Sequence, residues 1–184
     1  NPLAGMRFGR RPELADWLRS AQATYDALAA LCGEPLFHAL PMLRLFRSAE
    51  QQRFHARRVS EPGAEALLGP AFGPSGCPEP VHAPHGGFIQ QATGYVDLPR
   101  LLDGLHAWLA GAGRLATATA PVDTLRPRRD VAELGPWRAR RVVFCEGARM
   151  VDNPWFRHLP LAPVKGEIVD LDGAAWRPDH VING

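Results

Sequence analysis

Cysteine is scarce in this sequence and follows no pattern. Cys32, Cys77 and Cys145 are odd in number and widely spaced, and no C-x-x-C occurs. Nothing there suggests a disulfide framework, and a reduced, cytoplasmic protein is the expectation. No apolar run approaches the roughly 18 residues of a membrane span, and no charged-then-apolar leader opens the chain. Excess charge of one sign is missing too. The formal net charge is +2, so composition alone requires no acidic partner. Zinc needs three or four converging ligands, and His82-x-x-His85 has only Cys77 nearby, so it is read as a loop histidine pair and no metal is expected. The seven histidines form no nucleophile–base pair with a serine or cysteine, and no internal repeat is visible.

What is present suits a mixed globular protein. In 184 residues, 46% hydrophobic with 18 Gly and 18 Pro, there is apolar material for one sizeable core and many turns. Leu14, Leu18, Ala21, Tyr25, Leu28 and Cys32 step by four and three, which predicts a helix from near Pro12 to a left-handed cap at Gly33. Residues 36–46 read as a strand, and Ser48 caps a short polar helix to about Arg57. Residues 61–87 read as Pro/Gly-rich loop with one short strand, and Phe88–Ile89 as another brief strand. Asp97 caps a second helix whose expected buried stripe is Leu98, Leu101, Leu102, Leu105, Trp108 and Leu109. Further strands are expected at 115–120, 122–125, 137–145 and 164–171, and a turn at 181–184. Val142-Val143-Phe144-Cys145 is apolar throughout, as in strands covered on both faces.

Three groups of residues carry the chemistry. The first is Asn1-Pro2-Leu3-Ala4-Gly5, leading into the long helix. The second is Gly86-Gly87-Phe88 followed by Gly94-Tyr95-Val96-Asp97-Leu98-Pro99. The third is Val142-Val143-Phe144-Cys145-Glu146-Gly147 with Pro163-Val164-Lys165-Gly166-Glu167. In their order and spacing these residues resemble the glycine and D-amino-acid oxidase (DAO) group of FAD-dependent oxidoreductases, over essentially the whole chain.

The resemblance implies an α/β mixed (α+β) fold: part of an FAD-binding Rossmann-type lobe, plus part of an antiparallel substrate-binding sheet with helices. Residues 1–92 would belong to the substrate lobe, 93–150 to the returning FAD lobe, and 151–184 to the start of a second substrate-lobe segment. The implied activity of the parent protein is oxidation of a C–N bond in a small amine or amino acid, with hydride transfer to the flavin. Val122 would face the adenine, and Cys145, Glu146, Gly147 and Gly166 would border the cofactor. A glycine at such a turn admits close backbone approach because it has no Cβ. Equally, Cys145, Glu146 and Gly147 can simply end a core strand.

The chain departs from the group's pattern at one point. A strand, then G-x-G-x-x-G at a helix start, is the usual pyrophosphate seat. The one formal match, Gly111-Ala112-Gly113-Arg114-Leu115-Ala116, follows a helix and precedes an expected strand, which is the wrong polarity. The chain therefore reads as an internal piece lacking the N-terminal glycine loop and the C-terminal part. Weak or absent FAD binding by the piece, and its self-association, are expected.

Lys165 is a substrate-side candidate and equally a solvent-facing lysine. Arg44 and Arg47 are weaker candidates whose stems can instead cover apolar surface. The densest charge is Arg126, Arg128, Arg129, Arg138, Arg140 and Arg141, interrupted by Asp130 and Glu133. It reads as a solvated hairpin face, or as a phosphate-neutralising surface. The second reading is kept because one relative in the oxidase group is part of a bifunctional enzyme of tRNA wobble-uridine modification. A cofactor-free binding domain is the third.

Overall fold

The computed structural model describes every residue except Ala4, Asp170, Leu171, Ala174 and Arg177. It divides into two compact units, Asn1–Leu115 with Ala175–Gly184, and Ala116–Ala174. The mixed α+β class expected from sequence is found, with α-helices and three mostly antiparallel sheets.

The first unit opens with an irregular segment and then α1 (Leu14–Cys32). Gly33 ends α1 at φ 80°, its N–H donating to the Ala29 carbonyl at 2.8 Å, as the periodicity predicts. The strand expected over 36–46 is two strands, β1 (Phe37–Ala39) and β2 (Met42–Leu45). Pro41 lies between them, and with no N–H to give a ladder it separates them. α2 (Ala49–Val59) starts at Ser48, whose hydroxyl accepts from the Gln51 N–H, while Gln51 Oε1 accepts from the Arg47 N–H at 2.7 Å. This reciprocal arrangement resembles a capping box.

β3 (Leu68–Phe72), β4 (Gly87–Gln90) and β2 then form an antiparallel sheet in the order β3-β4-β2. Gly86, at φ +70°, makes the tight approach into β4, and a Cβ there would run into the Phe72 carbonyl oxygen. β5 (Gly94–Val96) pairs with β1, and α3 (Leu98–Gly111) follows. The residues at 181–184 do more than turn. β9 (Val181–Asn183) adds to β2 in parallel, Leu43 opposite Ile182.

The stripe predicted on α3 is not buried. Gly104 lies against Cys32 of α1, where even a Cβ would collide with the sulfur, so α3 packs along α1 through a small residue. Leu98 and Leu102, on the stripe's outer side, stay 59% and 56% exposed. The helix period fixes which residues share a face, and the packing partner decides which face is covered.

The core of this unit gathers Leu3, Phe8, Leu14, Phe46, Leu67, Leu68 and Phe88. Phe8 meets Phe88 edge-to-face at 5.2 Å, and Phe46 meets Phe88 at 5.4 Å. Fully burying one such ring contributes about 1.5–3 kcal/mol.

Three polar side chains, those of Arg44, Gln90 and His55, are buried beside this core. The Arg44 guanidinium donates to the carbonyls of Leu3 and Gly5 and to Gln90 Oε1, and it sits 4.7 Å from the Phe8 ring centroid. Gln90 Nε2 in turn donates to Asn1 Oδ1 at 2.8 Å. His55, only 2% exposed, lies 4.4 Å from Phe88 by ring centroid, with Nε2 3.0 Å from the Gly69 carbonyl.

The second unit contains a three-stranded antiparallel meander of β6 (Arg126–Pro127), β7 (Ala132–Leu134) and β8 (Trp137–Ala139). Several strands expected here do not form ladders. Residues 115–120 pair with nothing among the described residues, Val122–Thr124 is a 3₁₀ turn, and only Trp137–Ala139 of 137–145 is in a sheet. Residues 164–169 are likewise unpaired, and 170–171 of that expected strand lie outside the described residues. Apolar, β-branched sequence favours a strand only where a neighbouring edge offers hydrogen bonds, and Val143 and Val164 stand 80% and 92% exposed.

His55 carries a pH signature. Desolvation pushes its pKa below the ordinary imidazole value, partly offset by the Gly69 hydrogen bond. Below about pH 6.5 the unfolded chain binds a proton at this residue that the folded state refuses. Its contribution to stability is thus complete above that pH and declines as pH falls toward the depressed folded value. Denaturant melts across pH 7.5 to 5 should show wild-type stability dropping more steeply than that of His55→Gln, which keeps a donor but does not titrate. Parallel curves would contradict this.

Candidate functional site

Two of the residues expected near a cofactor, Val122 and Glu146, are linked through one asparagine turn in the second unit. Glu146 precedes Gly147, which takes φ +57° and opens the 3₁₀ turn Gly147–Asp152. Positive φ suits a residue without Cβ. The turn ends at Asn153, only 2% exposed. Its Nδ2 donates to Glu146 Oε2 at 2.6 Å, and its Oδ1 accepts from the Trp155 N–H at 2.9 Å. Trp155 Nε1 then donates to the Val122 carbonyl at 3.0 Å, and Phe156 packs edge-to-face on Phe144 at 5.4 Å. One buried amide therefore ties together Val122, Glu146 and the 153–156 turn. Asn153 was not among the residues singled out from the sequence; its place before Pro154, as the residue that ends a turn, was the only available signal.

Gly147 also lines an open depression of about 320 Å³ with Met150, Val151, Leu161, Pro163 and Val164. The depression brings Gly147, at the end of the 142–147 stretch, and Val164, at the start of 164–167, to one rim. Beyond that edge, Gly166 has open space where a Cβ would be. Lys165 projects into solvent, 82% exposed, and pairs with Glu167. Cys145 is exposed and free.

Arg44 belongs to the first unit and directs its donors inward. Burial pushes its pKa down, and the nearby charge of Arg47 adds to this. Arg47 donates its side chain to the Gly184 carbonyl.

The depression is at the lower end of the roughly 300–1,000 Å³ of ligand cavities, and no phosphate seat accompanies it. A dinucleotide needs free N–H groups at a helix start. α1 begins with Glu13 and carries Asp16 in its first turn. α2 is closed by Ser48 and Gln51. At α3, Asp97 accepts the Arg100 N–H at 3.1 Å, and Glu34 holds the Arg100 side chain at 2.7 Å. Side chains cap the starts of α2 and α3, and the uncapped start of α1 carries the acidic Glu13 and Asp16, so the described residues do not fit the diphosphate of FAD. Among them, no group of three His, Cys, Asp or Glu side chains converges as a metal would require. No described helix is long and apolar enough to cross a membrane.

The charged hairpin is more ordered than its sequence suggests. Arg126, Glu133 and Arg138 lie in one cross-strand row. Glu133 sits 3.4 Å from Arg138 and 3.8 Å from Arg128, so a single carboxylate faces two guanidinium groups, while Arg126 donates to the Asp123 and Leu125 carbonyls.

Removing the buried Asn153 amide takes away the acceptor of the Trp155 N–H and the donor to the half-buried Glu146 carboxylate. Asn153→Ala should lower the stability of this unit by about 2–3 kcal/mol, the scale of two lost hydrogen bonds with one charged acceptor. Hydrogen exchange at the amides of 147–157 measures it, and unchanged protection there would remove Asn153 from its central place.

Compared with known families, residues 3–183 match the model of the family described as FAD dependent oxidoreductase (DAO). No solved structure matches the chain.

Proposed function

The chain belongs to the FAD dependent oxidoreductase family, and on that premise we propose that the protein oxidises a C–N bond in a small amine or amino acid. The observation that carries this reading is the reach of the family match, which runs through both compact units. When bound, FAD supplies the redox chemistry, and the protein's part is to position it and exclude competing reactions.

We assign residues 1–92 and 151–184 to the substrate side and 93–150 to the cofactor side. The parallel addition of β9 to β2 supports this, because the end of the chain rejoins the sheet built by its first third. Val122, Cys145, Glu146, Gly147 and Gly166 are the proposed cofactor-side residues, and Lys165 the substrate-side cation. Of these, the depression supports Gly147, which lines it with Val164. Arg44, with its donors committed to Leu3, Gly5 and Gln90, would shape the substrate-side sheet and not touch substrate.

The 184-residue chain itself should hold FAD weakly, because the starts of α2 and α3 are already capped and that of α1 is acidic. Titration calorimetry is expected to give a dissociation constant weaker than about 1 μM; tighter binding would show that these residues do seat the diphosphate. The protein expressed from its full gene and supplied with FAD should convert glycine, sarcosine or D-alanine to the carbonyl product. Turnover of hydroxy acids but of no amine would overturn the C–N assignment.

The hairpin row favours a second reading, an oxidase acting on the wobble uridine of tRNA. If Arg126, Arg128 and Arg138 neutralise three phosphates, the logarithm of tRNA affinity should fall with log salt at a slope of about −2 to −3. Arg126→Gln/Arg138→Gln should flatten it. A slope near zero would exclude this reading.

A further inference from the structure

Two cavities of the first unit adjoin along α1. One, of about 710 Å³, is lined by Arg10, Arg11, Leu14, Leu18, Leu67 and Ala92 among others. The other, of about 400 Å³, is lined by Leu18, Tyr25, Phe37, Ala92 and Tyr95 among others. Leu18 and Ala92 face both, so the two form one groove from Leu14 past Tyr25, about 16 Å at the helical rise.

The groove is chemically polarised. At the α1 start, Arg10 donates to the Pro62 carbonyl at 3.0 Å, and neither Arg10 nor Arg11 has an ion pair among the described residues. Glu61, on the same wall, is held 2.5 Å from Arg58 and so is already matched. The floor is aliphatic, and at the far end Tyr25 and Phe37 stack at 5.9 Å with 15° between their planes. At the waist, Ala92 takes φ +55°, which a residue with a Cβ rarely adopts. It is fixed from both sides, by the Gln91 N–H on the Leu67 carbonyl at 2.9 Å and by the Leu40 N–H on the Thr93 carbonyl at 3.2 Å. Strain that the surroundings over-determine in this way gathers at ligand sites.

We propose that this groove binds an elongated apolar anion, with its carboxylate or phosphate at Arg10 and Arg11 and its acyl or aryl body along α1 toward Tyr25 and Phe37. The volumes fall in the range of small-molecule sites. The two unmatched guanidinium groups select an anionic head, for which their planar donors are suited. The site lies wholly in the first unit and does not depend on the FAD reading.

Calorimetric titration of the chain with dodecanoate, dodecyl phosphate, dodecyltrimethylammonium and inorganic phosphate tests it. The two amphipathic anions should bind at one site, and the cation and inorganic phosphate at least about tenfold more weakly. Arg10→Gln/Arg11→Gln should weaken dodecanoate roughly tenfold, as two exposed charge contacts allow. Ala15→Trp, at an exposed position of the groove wall, should block binding with the melting temperature unchanged. Arg11→Gln alone, at an exposed side chain with no internal partner, serves if the double variant is unstable. Equal binding of the cation, or affinities unmoved by the arginine changes and by Ala15→Trp, would overturn the proposal.

Discussion

A buried guanidinium without a carboxylate holds the first unit together. Arg44 enters the core from β2 and finds only neutral oxygens, those of Leu3, Gly5 and Gln90, with the Phe8 ring beside it. A buried charge is tolerated only if its donors are met, so the opening segment of the chain must stay where its carbonyls can meet them. That segment in turn delivers Leu3 and Phe8 to the aromatic cluster over β4. Lysine's three donors sit on a single nitrogen and cannot span acceptors that arginine reaches from both Nη1 and Nη2. Asn1, Arg44 and Gln90, which are 89 positions apart at the extremes, thus form one constraint.

The second unit depends on a neutral counterpart. Asn153 replaces the ladder that Val142–Cys145 does not make, offering a donor to Glu146 and an acceptor to Trp155. The result is a turn with an open glycine and a shallow apolar depression, but no anion seat. Family membership brings FAD chemistry to the protein, while in the described residues the starts of α2 and α3 are closed by capping side chains and that of α1 is acidic. A residue that satisfies a helix end so well, as Asp97 does, also repels a phosphate there.

Both long helices were legible because a 3.6-residue period repeats over several turns and is hard to produce by chance. Their ends were legible too, since Asp97 and Gly33 act through local geometry. Strands were harder. Pro41 divides one expected strand, and Val142–Cys145 and Val164–Val169 have strand composition without a strand partner. β9 was missed because three residues carry no period, and its pairing with β2 spans most of the chain. Of the site, Glu146 and Gly147 were visible as a glycine turn, whereas Asn153 was not, because its importance lies in what surrounds it.

The order of the residues was enough to specify local conformation: the two long helices, their caps, the glycine turns and the family to which the whole belongs. These follow from backbone sterics and from contacts within a few positions. Which helix faces are covered, where Arg44 finds its acceptors and whether an apolar segment becomes a strand were decided only in three dimensions. Each of those outcomes requires a partner from a distant part of the chain, and a hydrogen bond or buried surface is worth nothing until that partner is in place.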